Sequence, residues 1–441
     1  MTRQAWWMAV CSLGVMVAGC SSEKPKETAV APEAAPQAVA ATPDDAALVK
    51  KYEEQNAKLR LNGDKQVIEF DWSRTKSFEA TADAVAFFAD LNKFTHLQRA
   101  RLSGPGIDDE AIKSFGVFNE LKFIDIENSK ITDAGVDPFL KLPTLEVLYL
   151  RRASVGDGAM EKFSKSKTLK RIGVRYTNVS DAGLKFVGQM PQLVELQLRG
   201  CSGVTGAGLA TLSGLKNLES IEVWGSSFTD EQLAILGQFP KLRKVLVEDT
   251  RLKDAGMSAW KDLVKIEELS LDRTLVGNEG IVVVKGMTGM RVLLMRDTLV
   301  KDEGLANIAG LTKLTELDLS EGIFGDDGVK HLARLVNLET LSLWSTSTTD
   351  AGLAALGKLV KIKELNLDNT RITDDGLKHL DGMTNLESLN LSNTQVTNTG
   401  VESLAKFKNL KKLALNQCLN VGGSAIDTLK QALPNLEVTG P

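Results

Sequence analysis

Hydrophobic residues along this chain return every 24 residues from position 97 onward. Leu145, Leu148, Leu150, Val155 and Asp157 are answered by Leu169, Ile172, Val174, Val179 and Asp181, then Gly183, Leu184, Val187 and Met190 complete the motif. The shared template is L-x-x-L-x-L-x-x-T-x-[VI]-T-D-x-G-L-x-x-L-x-x-[LM]. Copies begin at Leu97, Leu121, Leu145, Leu169, Leu193, Leu218, Leu242, Ile266, Met290, Leu314, Leu338, Ile362 and Leu386, and a partial copy begins at Leu410. These are thirteen complete units, numbered 1 to 13 below, and a fragment. Such a period marks a solenoid, in which each unit buries its apolar face only against its neighbours.

Each template position has a mechanical reading. The last leucines of L-x-x-L-x-L alternate with outward residues at period two, which predicts a short strand with one buried face. Thr-Asp pairs such as Thr132/Asp133, Thr229/Asp230, Thr349/Asp350 and Thr373/Asp374 stand where a helix is expected to start, with a capping oxygen and an acid at the positive end of the dipole. Leu353, Leu356 and Leu359 then supply an inward helical stripe. Strands stack about 4.8 Å apart and helices need about 8–10 Å, so the stack curves with its strands inside. The predicted fold is α/β: a horseshoe solenoid with a parallel concave β-sheet and convex helices.

The ends depart from the period. Residues 1–19 carry Arg3 and an apolar run from Ala5 to Ala18, the build of a secretory signal peptide. Val17-Ala18-Gly19-Cys20 resembles the lipobox of bacterial lipoproteins, which implies cleavage before Cys20 and a lipid on that cysteine. Ser21, a non-acidic neighbour, resembles lipoproteins sorted to the outer membrane. Residues 20–43 are rich in Ala, Pro, Glu, Lys and Thr and read as a disordered tether. Residues 44–96 are expected to cap the stack, with a helix from Asp44 to Arg60, a strand over Val67–Trp72 and a helix from Thr81 to Leu91. Residues 410–441 complete the other end, and 97–409 hold the repeats.

Composition narrows the chemistry. With 53 basic and 57 acidic residues there is no global field of the kind nucleic acid binding needs, and no nucleic acid partner is expected. Cys201 and Cys418 both occupy the ninth position of a unit, where Thr177, Ser226, Thr250, Thr274 and Thr370 stand elsewhere; a small buried group hydrogen-bonded to the turn suits both types. His331 and His379 recur two units apart as convex decoration. The once-per-unit aspartates, among them Asp157, Asp254 and Asp326, read as helix caps, not metal ligands. No catalytic constellation, metal site or cofactor is predicted.

The concave columns carry the site prediction. Template positions three, five, seven and eight face or border the arc. Units 3 to 6 place Tyr149, Arg151, Arg152, Arg171, Arg175, Tyr176, Arg199 and Trp224 there, with Glu195 and Glu222 the two acids in those units. Arg151, Arg175 and Arg199 would repel one another at about 4.8 Å spacing, so folding alone gives no reason to gather them, and Arg, Tyr and Trp are the types enriched at binding hot spots. The competing reading is a solvated sheet with Arg171 paired to Glu195. A secondary acidic patch groups Glu316, Asp318 and Glu321, with Trp344 one unit on.

The T-D-x-G-L repeat over 97–409 has leucine-rich repeat spacing. It resembles the cysteine-containing class of F-box substrate receptors with Thr mostly replacing Cys, and more nearly the repeat lipoproteins of planctomycete-like bacteria. The resemblance implies a binding scaffold, not an enzyme. A ubiquitin-ligase role is not expected, because a secretion signal and no F-box-like segment precedes the repeats. The expected function is a lipid-anchored recognition protein of the bacterial cell envelope, held to a membrane by its N-terminal lipid, that binds a protein or peptide through the concave face. A binder of anionic envelope glycans and a structural spacer are the alternatives.

Overall fold

The computed structural model describes residues 42–441. The segment read as a signal peptide, Cys20 and nearly all of the tether lie outside the described residues. Among those described, seventeen strands form one open sheet. β1 (Lys58–Leu61) and β2 (Val67–Asp71) pair antiparallel. Every later strand, from Arg99–Ser103 to Glu437–Thr439, joins its predecessor in parallel and in chain order. The register sets apolar residue beside apolar residue, as in Leu148, Ile172, Leu196 and Ile221, each at most 1% exposed. One core therefore runs the length of the stack, each strand covering the next.

The helices on the other side of that core are short. Asp157–Ser164, Asp181–Val187 and Asp350–Leu356 are α-helical. Unit 8 has instead a 3-10 helix over Gly280–Gly286. In unit 2 the helix begins at Asp137, not at Thr132/Asp133, because Pro138 is tolerated only in a first turn, where its missing N–H costs nothing.

The Thr-Asp-x-Gly signature is a clamp between units, which corrects the capping role predicted for its aspartates. Thr349 Oγ1 accepts from Ala351 N–H at 3.3 Å and so caps its own helix. The same hydroxyl donates to Asp326 of the preceding unit at 2.6 Å, and Thr349 N–H donates to the other carboxylate oxygen at 2.8 Å. Asp350 in turn takes Thr373 N–H at 2.9 Å and its hydroxyl at 2.6 Å. Each aspartate thus reaches forward one unit. Glycine follows because the carboxylate occupies its side-chain space: a Cβ on Gly352 would lie 2.5 Å from Asp326 Oδ1, and one on Gly328 would lie 2.8 Å from Asp302 Oδ1.

Threonine or cysteine at the ninth position closes the turn behind the strand. Thr177 and Thr274 donate to the carbonyls of Val174 and Leu271, each at 2.7 Å. Cys201 and Cys418 are buried free thiols, donating to Val174 O at 2.9 Å and Leu391 O at 3.0 Å in the preceding unit. Ser226 makes no such bond and is exposed, and Pro105, Ala153 and Gly322 hold the position without a donor.

At the N-terminal end, α1 covers Ala46–Glu54, shorter than the predicted helix. Residues 58–61 leave it to become β1, with its side chains alternating in exposure, and cover the otherwise bare edge of β2. α2 spans Thr81–Leu91. Tyr52 packs edge-on against Phe70, Trp72 and Phe87 beneath them. At the C-terminal end the helix Gly423–Ala432 buries Ile426 and Leu429, and a further strand, Glu437–Thr439, follows it.

Candidate functional site

Strand register sets the side chains of the sheet face in columns. Val147, Arg171, Glu195 and Ser220 align at position three, and Tyr149, Gly173, Gln197 and Glu222 at position five. The eighth residue of each unit turns left-handed: Asn128 (φ 56°), Arg152 (53°), Tyr176 (57°), Asp249 (57°) and Glu321 (56°) share this with Gly104, Gly200 and Gly225. That geometry aims the eighth N–H at the seventh carbonyl of the next unit, as in Arg152 to Arg175 at 2.8 Å and Tyr176 to Arg199 at 2.7 Å. A left-handed L-residue costs about 1 kcal/mol. Asparagine and glycine bear it most easily, yet Arg and Tyr hold two adjacent positions on this face.

The arginines expected to stand uncompensated are all paired. Arg151 contacts Asp125 at 2.9 Å and Glu127 at 3.4 Å, and Arg152 contacts Glu127 at 3.7 Å. Arg171 meets Glu195 at 3.3 Å and Arg175 meets Glu222 at 2.5 Å. Arg199 pairs with Glu248. Asp125 and Glu127 lie in unit 2 and Glu248 in unit 7, so a tally confined to units 3 to 6 misses them. Repulsion along the arginine column is offset across strands. Glu222 is 4% exposed, and burial pushes its carboxyl above the usual carboxylate range while Arg175 pulls against it. Asp125, facing Arg151, is raised for the same reason.

The aromatic residues divide in two. Tyr149 is structural: its hydroxyl donates to Glu195 at 2.9 Å, its ring meets Phe123 edge-on, and burial raises its phenol pKa. Tyr176 and Trp224 remain 44% and 39% exposed. The Arg152 guanidinium lies 5.3 Å from the Tyr176 ring and that of Arg199 lies 5.9 Å from Trp224. Arg199 Nε donates to Tyr176 Oη at 3.1 Å, and Trp224 Nε1 donates to Asp249. Asp249 is in turn gripped by Arg273. Gly200, left-handed at φ 73°, seats the Tyr176 ring, which a Cβ there would strike. A cleft of about 230 Å³ opens between Glu127, Arg151, Arg152, Arg175, Tyr176 and Arg199.

In the acidic patch the structure again supplies an unexpected partner. Glu321 accepts from Arg296 Nε at 2.6 Å, and the same guanidinium lies 4.5 Å from the Trp344 ring. Asp318 accepts from Ser320 N–H at 2.9 Å. Glu316 has no basic partner among the described residues; burial, then Glu268, Asp318 and Glu364, raise its carboxyl. Asp272 escaped the sequence reading altogether. Burial, with the Asp318 and Glu248 carboxylates opposing its charge, pushes it up to about 6 against the pull of Arg296 N–H. The acid columns at positions three, five and seven of units 8 to 12 were the signal that could have found it.

Two family models described as leucine-rich repeat match residues 310–333 and 336–396. Over these residues the chain carries leucine-rich repeats, and its parallel sheet with helices has the leucine-rich repeat fold. An internalin, inlF, from Listeria monocytogenes superposes with a TM-score of 0.53 at 19% identity, over 69% of this chain and 88% of that one. The Arabidopsis receptor kinase HAESA, solved with the peptide hormone IDA and the co-receptor SERK1, gives 0.48 at 13% identity over 90% and 78%. TLR13 in complex with ssRNA13 gives 0.46 at 17% over 78% and 56%. No curated protein matches the chain by sequence. The internalin likeness shows the leucine-rich repeat fold, and the matches indicate no enzyme family. On this scaffold Tyr149, Arg151, Arg152, Arg171, Arg175, Tyr176, Arg199 and Trp224 share one stretch of sheet, while Trp344 joins Glu321 through Arg296 some distance along it.

Proposed function

We propose that this leucine-rich repeat protein is a recognition scaffold, anchored in a bacterial envelope through lipid on Cys20, that takes a protein or peptide partner on its sheet face around Tyr176 and Trp224. The observation that carries this reading is the pair of large rings left 44% and 39% exposed and held in place by Arg152, Arg199 and Asp249. Rigid, amphipathic anchors of this kind bind with little further loss of side-chain freedom. The lipobox at Val17–Cys20 supports the anchor, and Ser21 supports the outer membrane.

The ion pairing favours a protein over an anionic glycan. A polyanion would have to displace Asp125, Glu127, Glu222 and Glu248 from arginines they already satisfy. A protein partner can cover Tyr176 and Trp224 while leaving those pairs intact, gaining about 25 cal/mol per Å² of apolar surface removed from water.

A photo-crosslinking residue placed at Trp224 of the full-length protein, and separately at convex Asp262, tests the surface in intact cells. One discrete adduct from position 224, lost with Tyr176→Ala and absent from position 262, is the expected result. Equal labelling from both positions would leave the spacer reading. For the anchor, Cys20→Ser should release the protein from the membrane fraction and abolish palmitate labelling; unchanged fractionation would refute lipidation.

A further inference from the structure

We infer that units 11 to 13 carry a second binding surface, made for an uncharged, hydroxyl-rich glycan lying along the stack. It is independent of the site around Tyr176 and Trp224. Here positions three and five hold Thr340 and Ser342, Glu364 and Asn366, and Ser388 and Asn390. They line a groove of about 340 Å³ whose floor is formed with Leu341 and Leu365. Among the described residues no ion pair joins two of these lining side chains; Lys363 with Glu339 at 2.7 Å and Lys411 with Glu387 at 2.5 Å flank the groove one residue before position three. Glu364 is the one charged side chain lining it.

The asparagines are fixed and half satisfied. Asn366 Oδ1 accepts from Asp368 N–H at 3.1 Å, and Asn390 Oδ1 accepts from Ser392 N–H at 3.0 Å. Backbone donors therefore decide which amide atom is oxygen. Each Nδ2 has no protein acceptor among the described residues, and neither do the hydroxyls of Thr340 and Ser388. The groove thus offers two rigid amide donors, two hydroxyls and a carboxylate acceptor in a grid.

The spacing of that grid selects the ligand. Ser342, Asn366 and Asn390 stand in register on adjacent strands, as do Thr340, Glu364 and Ser388, so equivalent groups recur about every 4.8 Å. A peptide extended along the stack presents like-facing groups only every second residue, about 6.6 Å apart, and falls out of step. An extended β-1,4-linked pyranose chain faces alternate rings opposite ways, so like-facing hydroxyls recur every second ring, at about two strand spacings, and stay in step with the grid. Trp344, two residues beyond Ser342 on the same strand face, has its ring braced by Arg296 at 4.5 Å and offers a stacking surface at the groove mouth. Glu364 inside the groove, with Glu316 and Asp318 on the strand beside Thr340 and Ser342, opposes an acidic sugar there, and Lys412, in register with Ser388, stands only at the far end, so a neutral chain fits the groove better than an acidic one.

Calorimetry on the full-length protein in detergent, with cellohexaose, chitohexaose and polygalacturonate as probes, tests this. At least one neutral hexasaccharide should bind with little salt dependence, and polygalacturonate should not. Asn366→Ala with Asn390→Ala should weaken binding by about tenfold or more, the loss of two hydrogen bonds. Ser388→Arg fills the groove without breaking an internal bond and should abolish it, whereas Tyr176→Ala with Trp224→Ala should leave it unchanged. Absence of binding to either neutral probe, or binding that survives Ser388→Arg, overturns the inference. So does an extended peptide competing for the groove where the sugars fail.

Discussion

Units 3 to 7 and units 11 to 13 share one backbone and, save between units 5 and 6, where Gly206 replaces the aspartate and Thr229 N–H turns to its own Gln232, one clamp; their sheet faces are built on opposite terms. In the first stretch Arg151, Arg152, Arg171, Arg175 and Arg199 each reach an acid on another strand, Arg199 crossing two units to Glu248, and the pairs lock Tyr176 and Trp224 in the open. In the second, Asn366 and Asn390 bond two residues along their own strands, Thr340 and Ser388 have no side-chain partner among the described residues, and Ser342 reaches only the Ser320 hydroxyl. The difference teaches that the repeat constrains only the columns that touch the core or the neighbouring clamp. The facing columns are free of that constraint, and their chemistry can change within a few strands without altering the fold.

The largest test of that contrast is Glu222→Gln. It leaves Arg175 charged, partly buried and unopposed, and should cost about 3 kcal/mol, read as a lower denaturation midpoint. Asn390→Ala in the other stretch should cost about 1 kcal/mol or less. Equal losses would mean that the two faces are held together in the same way after all.

Next in size are the clamps, which should erase the contrast. Asp157 accepts Ser180 N–H at 2.8 Å, its hydroxyl at 2.6 Å and Gly183 N–H at 3.0 Å, and Asp350 serves Thr373 likewise. Asp157→Ala and Asp350→Ala should each cost about 2 kcal/mol by the same denaturation assay. A cost confined to one region would break the idea of a common spine.

Asp272 lies between the two stretches and adds a pH axis. Its folded value of about 6 exceeds the ordinary 3.8, so the native state binds a proton more readily than the unfolded chain, and stability falls as pH rises from about 4 to 6. Asp272→Asn should therefore raise the denaturation midpoint above about pH 7, by about 1 kcal/mol after allowance for solvent, and change little near pH 4. The smallest effect belongs to Tyr176→Asn. Asparagine suits the left-handed backbone there, so stability should stay within about 0.5 kcal/mol while partner crosslinking at Trp224 is lost.

Much of this is legible in the sequence. The 24-residue period carried the strands, the buried columns and the equivalence of Cys201 with threonine, because each follows from local alternation and from contacts one unit away. The same period hid the role of the aspartates: Asp326 sits where a cap belongs, and only its distance to Thr349 shows that it serves the following unit. The site was half legible. Tyr176 and Trp224 stood out by residue type, but the neutralisation of Arg151 and Arg199 depended on acids one strand outside the units being compared, and Arg296 was not seen as the partner of Glu321.

By itself the sequence determined the solenoid, its parallel sheet and which positions face the core, since a repeated pattern of burial admits one stacked arrangement. Tertiary structure decided which charges meet and which side chains remain free. Those outcomes depend on side-chain reach across one or two strands and on which residue the left-handed eighth position carries; the turn recurs with the unit, but the side chain it carries and the strand that side chain reaches do not.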